Sequence, residues 1–328
     1  MKTTAMGVVV VAREQAELQS VALDALGDDE VRGRTLATAV SAGTELNGAY
    51  LGDQYPARPG YAAVFEVDEV GPAVQGIAAG DRRFCMGPHR SVQQVAADQT
   101  VPVPSGLPAE QAVLARLAGV SMTTLMTTTA RPGDRVVVSG LGPVGLLAAE
   151  LFAASAYEVV GIEPDAARRQ WAQTAGLADV REALDPQDPA LAGQVALVVE
   201  CSGHEQAVLD ACRVVRPRGE VVLVGVPWTR RSDRTAHAVL HEVFHRYVVL
   251  RSGWEWELPQ QTSKFQPHGI FSGFTRAMQW LATGRLRVEG LIDLRDPRDA
   301  QPVYQDLLHH RTPQPFTVFD WRRLDPRP

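Results

Sequence analysis

The sequence predicts an α/β protein built on a doubly wound parallel sheet, with a mainly β region before it and a mixed region after it. Three observations predict this fold. Strand-like and helix-like segments alternate between residues 135 and 251. A G-x-G-x-x-G motif follows the first of these strands and opens a helix. The first 120 residues carry short β-like runs broken by Gly and Pro, which indicates a separate, β-rich region.

Length and composition limit the class of protein. A chain of 328 residues with 45% apolar residues has room for two domains, each with its own core. A formal charge of −6 argues against nucleic acid or an acidic membrane as the main partner. Three widely separated cysteines with no C-x-x-C pair exclude a disulfide framework and a four-cysteine zinc lobe.

Two apolar segments bear on localisation. Met6–Ala12 ends at charged residues and is too short for a signal peptide, so it is interpreted as a strand. Val136–Ala156 is long enough to raise the question of a membrane span, but it contains three glycines, a proline and Glu150. A strand, a turn and a buried helix explain it more simply. We therefore expect a cytoplasmic protein with no membrane partner.

The individual elements follow from periodicity and from turn residues. In the β-rich region the predicted strands are 7–11, 34–40, 62–70 and 92–96, and apolar residues at helical spacing from 109 to 129 predict one or two helices. The alternating region predicts strands at 135–139, 158–162, 196–199, 220–224 and 247–251, with helices at 144–154, 165–175, 205–214 and 236–246. After Gly253 the alternation stops, and we expect a polar loop over 254–267, a helix near 272–283 and a strand at 316–319.

The most informative motif is the glycine-rich turn Ser139-Gly140-Leu141-Gly142-Pro143-Val144-Gly145. Gly140 permits the tight turn, Gly142 lets the backbone approach a pyrophosphate, and Gly145 allows close packing of helix against strand. The phosphates then lie at the N-terminus of a helix that begins with Pro143 and Val144, where unpaired N–H groups favour anions. A turn of this kind without a ligand is the weaker alternative.

The choice of dinucleotide rests on the end of the second strand. Glu163 lies 18 residues beyond Gly145, where a carboxylate accepts hydrogen bonds from ribose hydroxyls and repels a 2′-phosphate. Arg168 and Arg169 point the other way, since Arg near this position can hold a 2′-phosphate, although a solvated helix face also explains them. The sequence favours NAD over NADP.

Several motifs together resemble the medium-chain dehydrogenase/reductase family of alcohol and polyol dehydrogenases. They are Gly80-Asp81-Arg82, the glycine turn 140–145, Val199-Glu200-Cys201-Ser202-Gly203, Arg216-Pro217-Arg218-Gly219 and Val222-Leu223-Val224-Gly225. The resemblance implies a Rossmann domain inserted into a discontinuous, mainly β (GroES-like) catalytic domain. We place the boundaries at 1–123, 124–253 and 254–328. It also implies a small-molecule substrate, a homodimer, and cofactor contacts near Cys201 and Gly225.

The chain departs from this family at the catalytic zinc. Ala42 stands where the first Cys ligand would be, Tyr61 and Ala62 replace the family's His and Glu, and no sulfur or carboxylate is found near Gly119–Ser121. Zinc chemistry of this kind needs three protein donors and an open fourth position. The sequence therefore predicts no metal. Ser41–Glu45 and Pro59–Tyr61 are similar to the bacteriochlorophyllide dehydrogenase-like branch of the family.

Without zinc, side chains must provide the acid/base and electrostatic roles. Thr44 matches the family position whose hydroxyl contacts the substrate oxygen. Tyr61 is either a proton donor or an aromatic plug in the vacated metal cavity, and Glu45 either orients a relay or forms a structural salt bridge. Lys264 and His268 lie in the polar loop after the Rossmann region, where they are either catalytic or ordinary surface residues.

Two further groups are expected to be structural. His89 is interpreted as an ordinary surface residue, and Cys201 and Cys212 as small core residues. His241-Glu242-Val243-Phe244-His245 fits the H-E-x-x-H zinc signature and would indicate a metallopeptidase. It falls on the helix before the last strand of a doubly wound sheet, away from the strand C-termini, so an accidental pattern on a helix surface is favoured.

The sequence thus predicts a zinc-independent, NAD-dependent dehydrogenase/reductase acting on a secondary alcohol, polyol or cyclitol and the corresponding ketone. The main alternative is an NAD(P)H-dependent enone or quinone reductase, since zinc-free relatives in this family carry out that chemistry. A nucleotide-binding protein without catalytic activity is a third possibility.

Overall fold

The structure, a computed structural model, describes residues 4–324 and divides them into two compact units. One unit runs to Arg116 and resumes at Val288, and the other comprises 117–287. The predicted fold class is confirmed, because a doubly wound parallel sheet interrupts a mainly β unit.

The elements agree with most of the predicted segments. The strands are β1 Thr4–Ala12, β2 Gln15–Ala22, β3 Glu30–Ala39, β4 Ala63–Val70, β5 Arg82–Cys85, β6 Val92–Ala96, β7 Thr100–Pro102, β8 Arg135–Ser139, β9 Glu158–Ile162, β10 Asp179–Arg181, β11 Val195–Glu200, β12 Val215–Leu223, β13 Val249–Ser252, β14 Ile292–Arg295 and β15 Phe316–Asp320. The α-helices are α1 Ala42–Glu45, α2 Ala109–Ala112, α3 Ala115–Thr127, α4 Pro143–Ala154, α5 Ala166–Thr174, α6 Glu205–Val214, α7 Ala236–Arg246, α8 Ile270–Ala282 and α9 Ala300–Leu308.

The unit 117–287 contains a six-stranded parallel sheet in the order β10-β9-β8-β11-β12-β13. This order, which runs outward in both directions from β8 and β11, is the doubly wound order of dinucleotide-binding folds. The central strands are runs of fully buried Val and Leu, as expected for a sheet covered by helices on both faces. The change of direction between β8 and β11 creates the crevice where such folds bind ligands.

The other unit is built on a seven-stranded sheet in the order β14-β15-β3-β4-β5-β7, with β6 paired to β3. All its pairings are antiparallel except β14 with β15. A separate hairpin, β1 with β2, packs on α9 through a core that includes Tyr50, Tyr304 and Trp321. The predicted discontinuous, mainly β domain is therefore present.

The C-terminal boundary of the inserted unit differs from the sequence prediction. Residues 254–287, which we assigned to the return segment, belong to the same unit as the parallel sheet. The physical reason is helix packing: α8 lies so close to α3 that a Cβ on Gly119 would meet the Phe274 ring at 2.3 Å. The polar loop therefore does not mark the end of the inserted unit.

Across residues 4–324, no helix is long and apolar enough to cross a membrane. The apolar segment that raised the question divides into β8, a turn and α4, as predicted.

A buried carboxyl on α4 makes the stability of this unit depend on pH. Glu150 is 3% exposed and its Oε2 accepts a hydrogen bond from the Arg287 N–H at 2.7 Å. Burial raises the pKa of Glu150 to about 6, against the lowering effect of Arg287. Between pH 4.5 and 6 the folded state therefore holds a proton that the unfolded chain has lost. The contribution of this group to the free energy of unfolding declines across that range, by about 2 kcal/mol.

The substitution Glu150→Gln tests this pH dependence, because an amide keeps an acceptor for Arg287 and removes the ionisation. The free energy of unfolding of the variant should rise relative to that of the wild type by about 2 kcal/mol between pH 4 and pH 7. Urea unfolding followed by circular dichroism at several pH values measures the difference. A difference that stays constant with pH would contradict the assignment.

Candidate functional site

The glycine turn after β8 has the backbone shape that a bound pyrophosphate requires. Gly140 has a φ of +86°, and a Cβ on Gly145 would lie 1.8 Å from the Gly140 carbonyl oxygen, so these two positions require glycine. Gly142 precedes Pro143, the first residue of α4. A Cβ on Gly142 would meet no atom closer than Arg168 Nη1 at 3.9 Å, so the space beside Gly142 is open to a ligand.

A second loop of the same crevice follows β11. The Glu200 carboxylate is fully buried and accepts hydrogen bonds from the backbone N–H groups of Ser202, at 2.8 Å, and Gly203, at 3.0 Å. Burial raises the pKa of Glu200 in spite of these bonds. Cys201 N–H donates to the Ser139 carbonyl at 2.7 Å, and Gly225 N–H donates to the Glu200 carbonyl at 2.7 Å. The predicted cofactor positions 201 and 225 therefore border the crevice at the strand C-termini.

Glu163 directly follows β9, beside this crevice. Its Oε2 accepts from Leu141 N–H at 2.9 Å and its Oε1 from Asp165 N–H at 3.0 Å. Each carboxylate oxygen keeps a second acceptor position, which suits a ribose hydroxyl. Arg168 Nη1 lies 3.9 Å from Glu163 Oε2. The guanidinium that could hold a 2′-phosphate therefore lies beside the same carboxylate. The residues of the unit 117–287 fit a dinucleotide, with the glycine turn at its phosphates and Glu163 at its adenosine ribose.

In the β-rich unit, three hydroxyl groups converge. The Tyr61 hydroxyl donates a hydrogen bond to Ser41 Oγ and lies 3.3 Å from Thr44 Oγ1. Ser41 precedes α1, Thr44 lies within it, and Tyr61 lies in the segment before β4. Thr44 is exposed and Tyr61 is half-buried, so the cluster reaches solvent. The structure thus brings together two of the predicted catalytic residues, Thr44 and Tyr61.

A buried cation faces this cluster. The guanidinium carbon of Arg116, the second residue of α3, lies 4.6 Å from the centroid of the Tyr61 ring. Arg116 is only 7% exposed. A guanidinium over an aromatic face is attracted by the ring quadrupole, and the attraction grows when both groups are removed from water.

Glu45 is the centre of a buried hydrogen-bond network behind the hydroxyl cluster. Its Oε2 lies 2.9 Å from His89 Nε2 and accepts from the Tyr304 hydroxyl at 2.5 Å, while its Oε1 accepts from Ser41 N–H at 2.7 Å. Burial, followed by the charge of Glu45, raises the pKa of Tyr304. Glu45 therefore has the partners of a structural pair and also holds the backbone of Ser41, so both interpretations of Glu45 stay predictions.

The prediction that His89 is a surface residue is wrong. His89 is 1% exposed, and its Nδ1 lies 2.8 Å from Thr38 Oγ1, which also accepts from Trp321 Nε1 at 2.8 Å. Because an indole N–H only donates, the Thr38 proton is available to Nδ1, which leaves the Nε2 proton for Glu45. The side chain is buried because both ring nitrogens have a polar partner inside the fold, Thr38 for Nδ1 and Glu45 for Nε2.

The side chains at the family's zinc positions do not form a metal-binding set. Ala42 and Ala62 carry no donor, and Tyr61 is engaged with Ser41 and faces Arg116. Within residues 4–324, no group of three or more His, Cys, Asp or Glu side chains converges in a way that could hold a metal ion. A divalent ion placed beside Tyr61 would also be repelled by the buried guanidinium. These residues therefore do not fit a catalytic zinc.

The thiols supply no alternative ligand or nucleophile. Burial raises the pKa of Cys85 to about 12 and that of Cys212 to about 11, and it raises the pKa of Cys201 well above its usual value. All three thiols therefore stay protonated at neutral pH, and the reactive form of cysteine is the thiolate.

Lys264 and His268 lie in the unit that contains the parallel sheet, in an exposed segment before α8. Lys264 Nζ lies 5.8 Å from the ring centroid of its neighbour Phe265, which is itself 90% exposed. The catalytic role of Lys264 and His268 stays a prediction.

The H-E-x-x-H segment occupies α7, as predicted. Glu242, which would be the general base of a metallopeptidase, forms salt bridges with Arg246 at 2.6 Å and Arg213 at 3.2 Å, and these partners lower its pKa. The rings of His241 and His245 are exposed and their centroids lie 4.4 Å apart. A carboxylate bound by two guanidinium groups is not placed to activate water, so this helix does not form a peptidase centre.

Sequence reasoning missed Ser41 and Arg116 as members of the candidate site. Ser41 gave no signal, since a Ser before a short helix is common. Arg116 did give one: it is the single charged residue within the apolar helical run from Ala112 to Thr129. A charged side chain in such a run is buried only when something compensates it, and the structure identifies Tyr61 as a contact.

Comparison with known proteins places these features in context. The family described as zinc-binding dehydrogenase matches residues 143–258. An L-threonine 3-dehydrogenase from Pyrococcus horikoshii is 29% identical over 259 residues, which cover 64% of this chain and 72% of that protein.

Solved structures show the same fold across the chain. An acetophenone reductase from Geotrichum candidum in complex with NAD has a TM-score of 0.80 at 14% identity, covering 98% of each chain. A protein from Sinorhizobium meliloti bound to NADP has a TM-score of 0.78 at 17% identity, covering 97% of this chain and all of that one.

Two glycine substitutions separate ligand binding from folding. Gly142→Ala adds a methyl group to open space, so the protein should fold normally while its dissociation constant for NADH rises at least about tenfold. Gly145→Ala forces the Gly140 carbonyl aside and should lower the free energy of unfolding by about 1–3 kcal/mol. Fluorescence titration and urea unfolding measure the two effects. Unchanged NADH affinity in Gly142→Ala would contradict the placement of the pyrophosphate.

Proposed function

We propose that the chain, which resembles the zinc-binding, medium-chain alcohol dehydrogenases, interconverts a secondary alcohol and its ketone with NAD and without a catalytic zinc ion. The dehydrogenases to which it is similar support an oxidoreductase with a nicotinamide cofactor. The choice of NAD, the independence from zinc and the substrate class are the parts proposed.

The observation that carries the proposal is the hydroxyl cluster of Tyr61, Ser41 and Thr44 beside the Arg116 guanidinium. In this family a metal would polarise the substrate oxygen, and here a phenol stands at one of its ligand positions. A phenol can donate a proton to a ketone oxygen and accept it back from an alcohol, which is the acid/base work that the reaction requires. The hydroxyl of Thr44, 3.3 Å from that of Tyr61, offers the next step of a proton path toward solvent.

The cofactor supplies the hydride donor or acceptor, and the glycine turn with Glu163 binds it. We propose NAD because the carboxylate of Glu163 would repel the negative charge of a 2′-phosphate. Arg168, 3.9 Å from Glu163, offsets part of that repulsion, so we expect NADP to bind more weakly rather than not at all.

We further propose that the protein is a cytoplasmic homodimer. The strand β13 is the last in the order of its sheet; it begins with the exposed Val249, and the exposed Tyr247 lies just before it. An open edge with apolar side chains favours pairing with another chain. Light scattering on the purified protein measures the mass that decides this point.

A substrate panel tests the proposed reaction. Secondary alcohols, polyols and cyclitols with NAD⁺, and the corresponding ketones with NADH, should be turned over. Enones and quinones should react more slowly, and NADP⁺ should support a lower kcat/KM than NAD⁺. Rapid reduction of enones with no alcohol oxidation would favour the double-bond reductase instead. No turnover of any class, with NADH still bound, would favour a non-catalytic protein.

Substitution in the hydroxyl cluster tests the residues. Tyr61→Phe keeps the ring and removes the acidic proton, so kcat should fall at least ~10²-fold while NADH affinity is unchanged. Thr44→Ala should lower kcat in the same direction. Tyr55→Phe removes another phenol of the same unit, one that bonds only to the Gly52 carbonyl, and serves as the matched control. A rate in Tyr61→Phe equal to that of the wild type would remove Tyr61 from the mechanism.

A further inference from the structure

We propose that Arg116 is the positioning residue that supplies, through Tyr61, the positive charge that a metal ion supplies elsewhere in the family. This inference rests on the proposed reaction and adds to it a residue that no sequence motif marks. It concerns how the charge on the acid/base group is stabilised.

The geometry places the charge at the phenol and not at a distant part of the fold. Arg116 and Tyr61 are 4.6 Å apart, measured from the guanidinium carbon to the ring centroid. At 7% exposure the guanidinium is screened little by solvent, so its field on the phenol oxygen is stronger than that of a surface arginine. The carboxylate of Glu45 lies behind Ser41 and is hydrogen-bonded to His89 and Tyr304.

The Tyr61 phenol is held from both sides. Arg116 covers the face of its ring, and Ser41 Oγ accepts a hydrogen bond from its hydroxyl. Ser41 is fixed in turn, because its backbone N–H donates to Glu45 at 2.7 Å. The phenol oxygen is thus held in place, and only its O–H bond has to turn from Ser41 Oγ to the substrate oxygen before the proton is transferred.

The charge matters at the moment of proton transfer. In the reducing direction, a nicotinamide cofactor held at the glycine turn would supply the hydride that forms a C–H bond at the ketone carbon, and the C=O π bond would break as that bond forms. The electron pair moves to the oxygen, which takes the Tyr61 proton to form the O–H bond of the alcohol. Tyr61 is left as a phenolate beside Arg116, and a proton from water restores it by way of the Ser41 and Thr44 hydroxyls. The guanidinium stabilises the phenolate and so favours this step.

The test compares Arg116→Met and Arg116→Lys. Arg116→Met removes the charge and keeps much of the apolar stem, so kcat should fall at least about tenfold, with the dissociation constant for NADH within about twofold of the wild-type value. The pH at which alcohol oxidation reaches half its maximal rate should move upward. Arg116→Lys restores a positive charge and should recover a large part of the lost kcat, which a purely structural role would not predict.

Arg285→Met provides a matched control. Arg285 covers the ring of Trp280 at the same distance, 4.6 Å, but is exposed and lies in the other unit, so its removal deletes a cation–π contact without touching the hydroxyl cluster. Its kcat and pH profile should equal those of the wild type. Thermal unfolding of all variants separates a loss of fold from a loss of rate, and Arg116→Lys remains informative if Arg116→Met does not fold.

The outcomes distinguish this inference from the proposed function. Normal wild-type turnover, a large loss in Tyr61→Phe and an unchanged kcat and pH profile in Arg116→Met would overturn the role of Arg116 alone. Equal losses in Arg116→Met and Arg116→Lys, with no change in the pH profile, would also overturn it. No wild-type oxidation of secondary alcohols or reduction of ketones would overturn the proposed function and this inference together.

Discussion

The buried carboxylate of Glu45 is the constraint on which the arrangement of the β-rich unit depends. It forms hydrogen bonds with the His89 ring, the Tyr304 hydroxyl and the Ser41 backbone N–H. These bonds connect the segment before α1 with α9 and with the loop after β5. A carboxylate in this position is costly to bury unless it is hydrogen-bonded on several sides. Because it is, the start of α1 is fixed, and with it the two hydroxyls that meet Tyr61.

This arrangement supports our proposal that the protein works without the metal ligands of the dehydrogenases it resembles. Ala42 and Ala62 leave no donors, yet the space is not left apolar: a phenol, two hydroxyls and a guanidinium occupy it. A cation and a proton donor can together stabilise the charge that develops on a carbonyl oxygen, which is the electrostatic part of what a metal does. The glycine turn of the other unit is unchanged by these substitutions because it depends only on local backbone geometry.

The sequence predicted those features that depend on nearby residues. The strands Arg135–Ser139 and Glu158–Ile162 and the helix Glu205–Val214 agree residue for residue, because their patterns of burial are local. The hairpin partner β2 and the helix α9 were not predicted, since their apolar residues face each other across nearly 300 positions of the chain. Within the candidate site, too, the residues close together in sequence were predicted and the distant contacts were not. The cofactor turn is a continuous motif, whereas the contact between Tyr61 and Arg116 joins residues 55 positions apart and appears only in three dimensions.

In our proposal, side chains of the protein replace the catalytic zinc. Metal analysis of purified, active protein after dialysis against a chelator tests it most directly. His241 and His245 are exposed and adjacent on α7, so a His241→Gln/His245→Gln variant is measured in parallel to remove zinc held at that surface. We expect far less than one zinc per chain in this variant, with kcat equal to that of untreated protein. One zinc per chain that persists in the variant and is lost together with activity would contradict it.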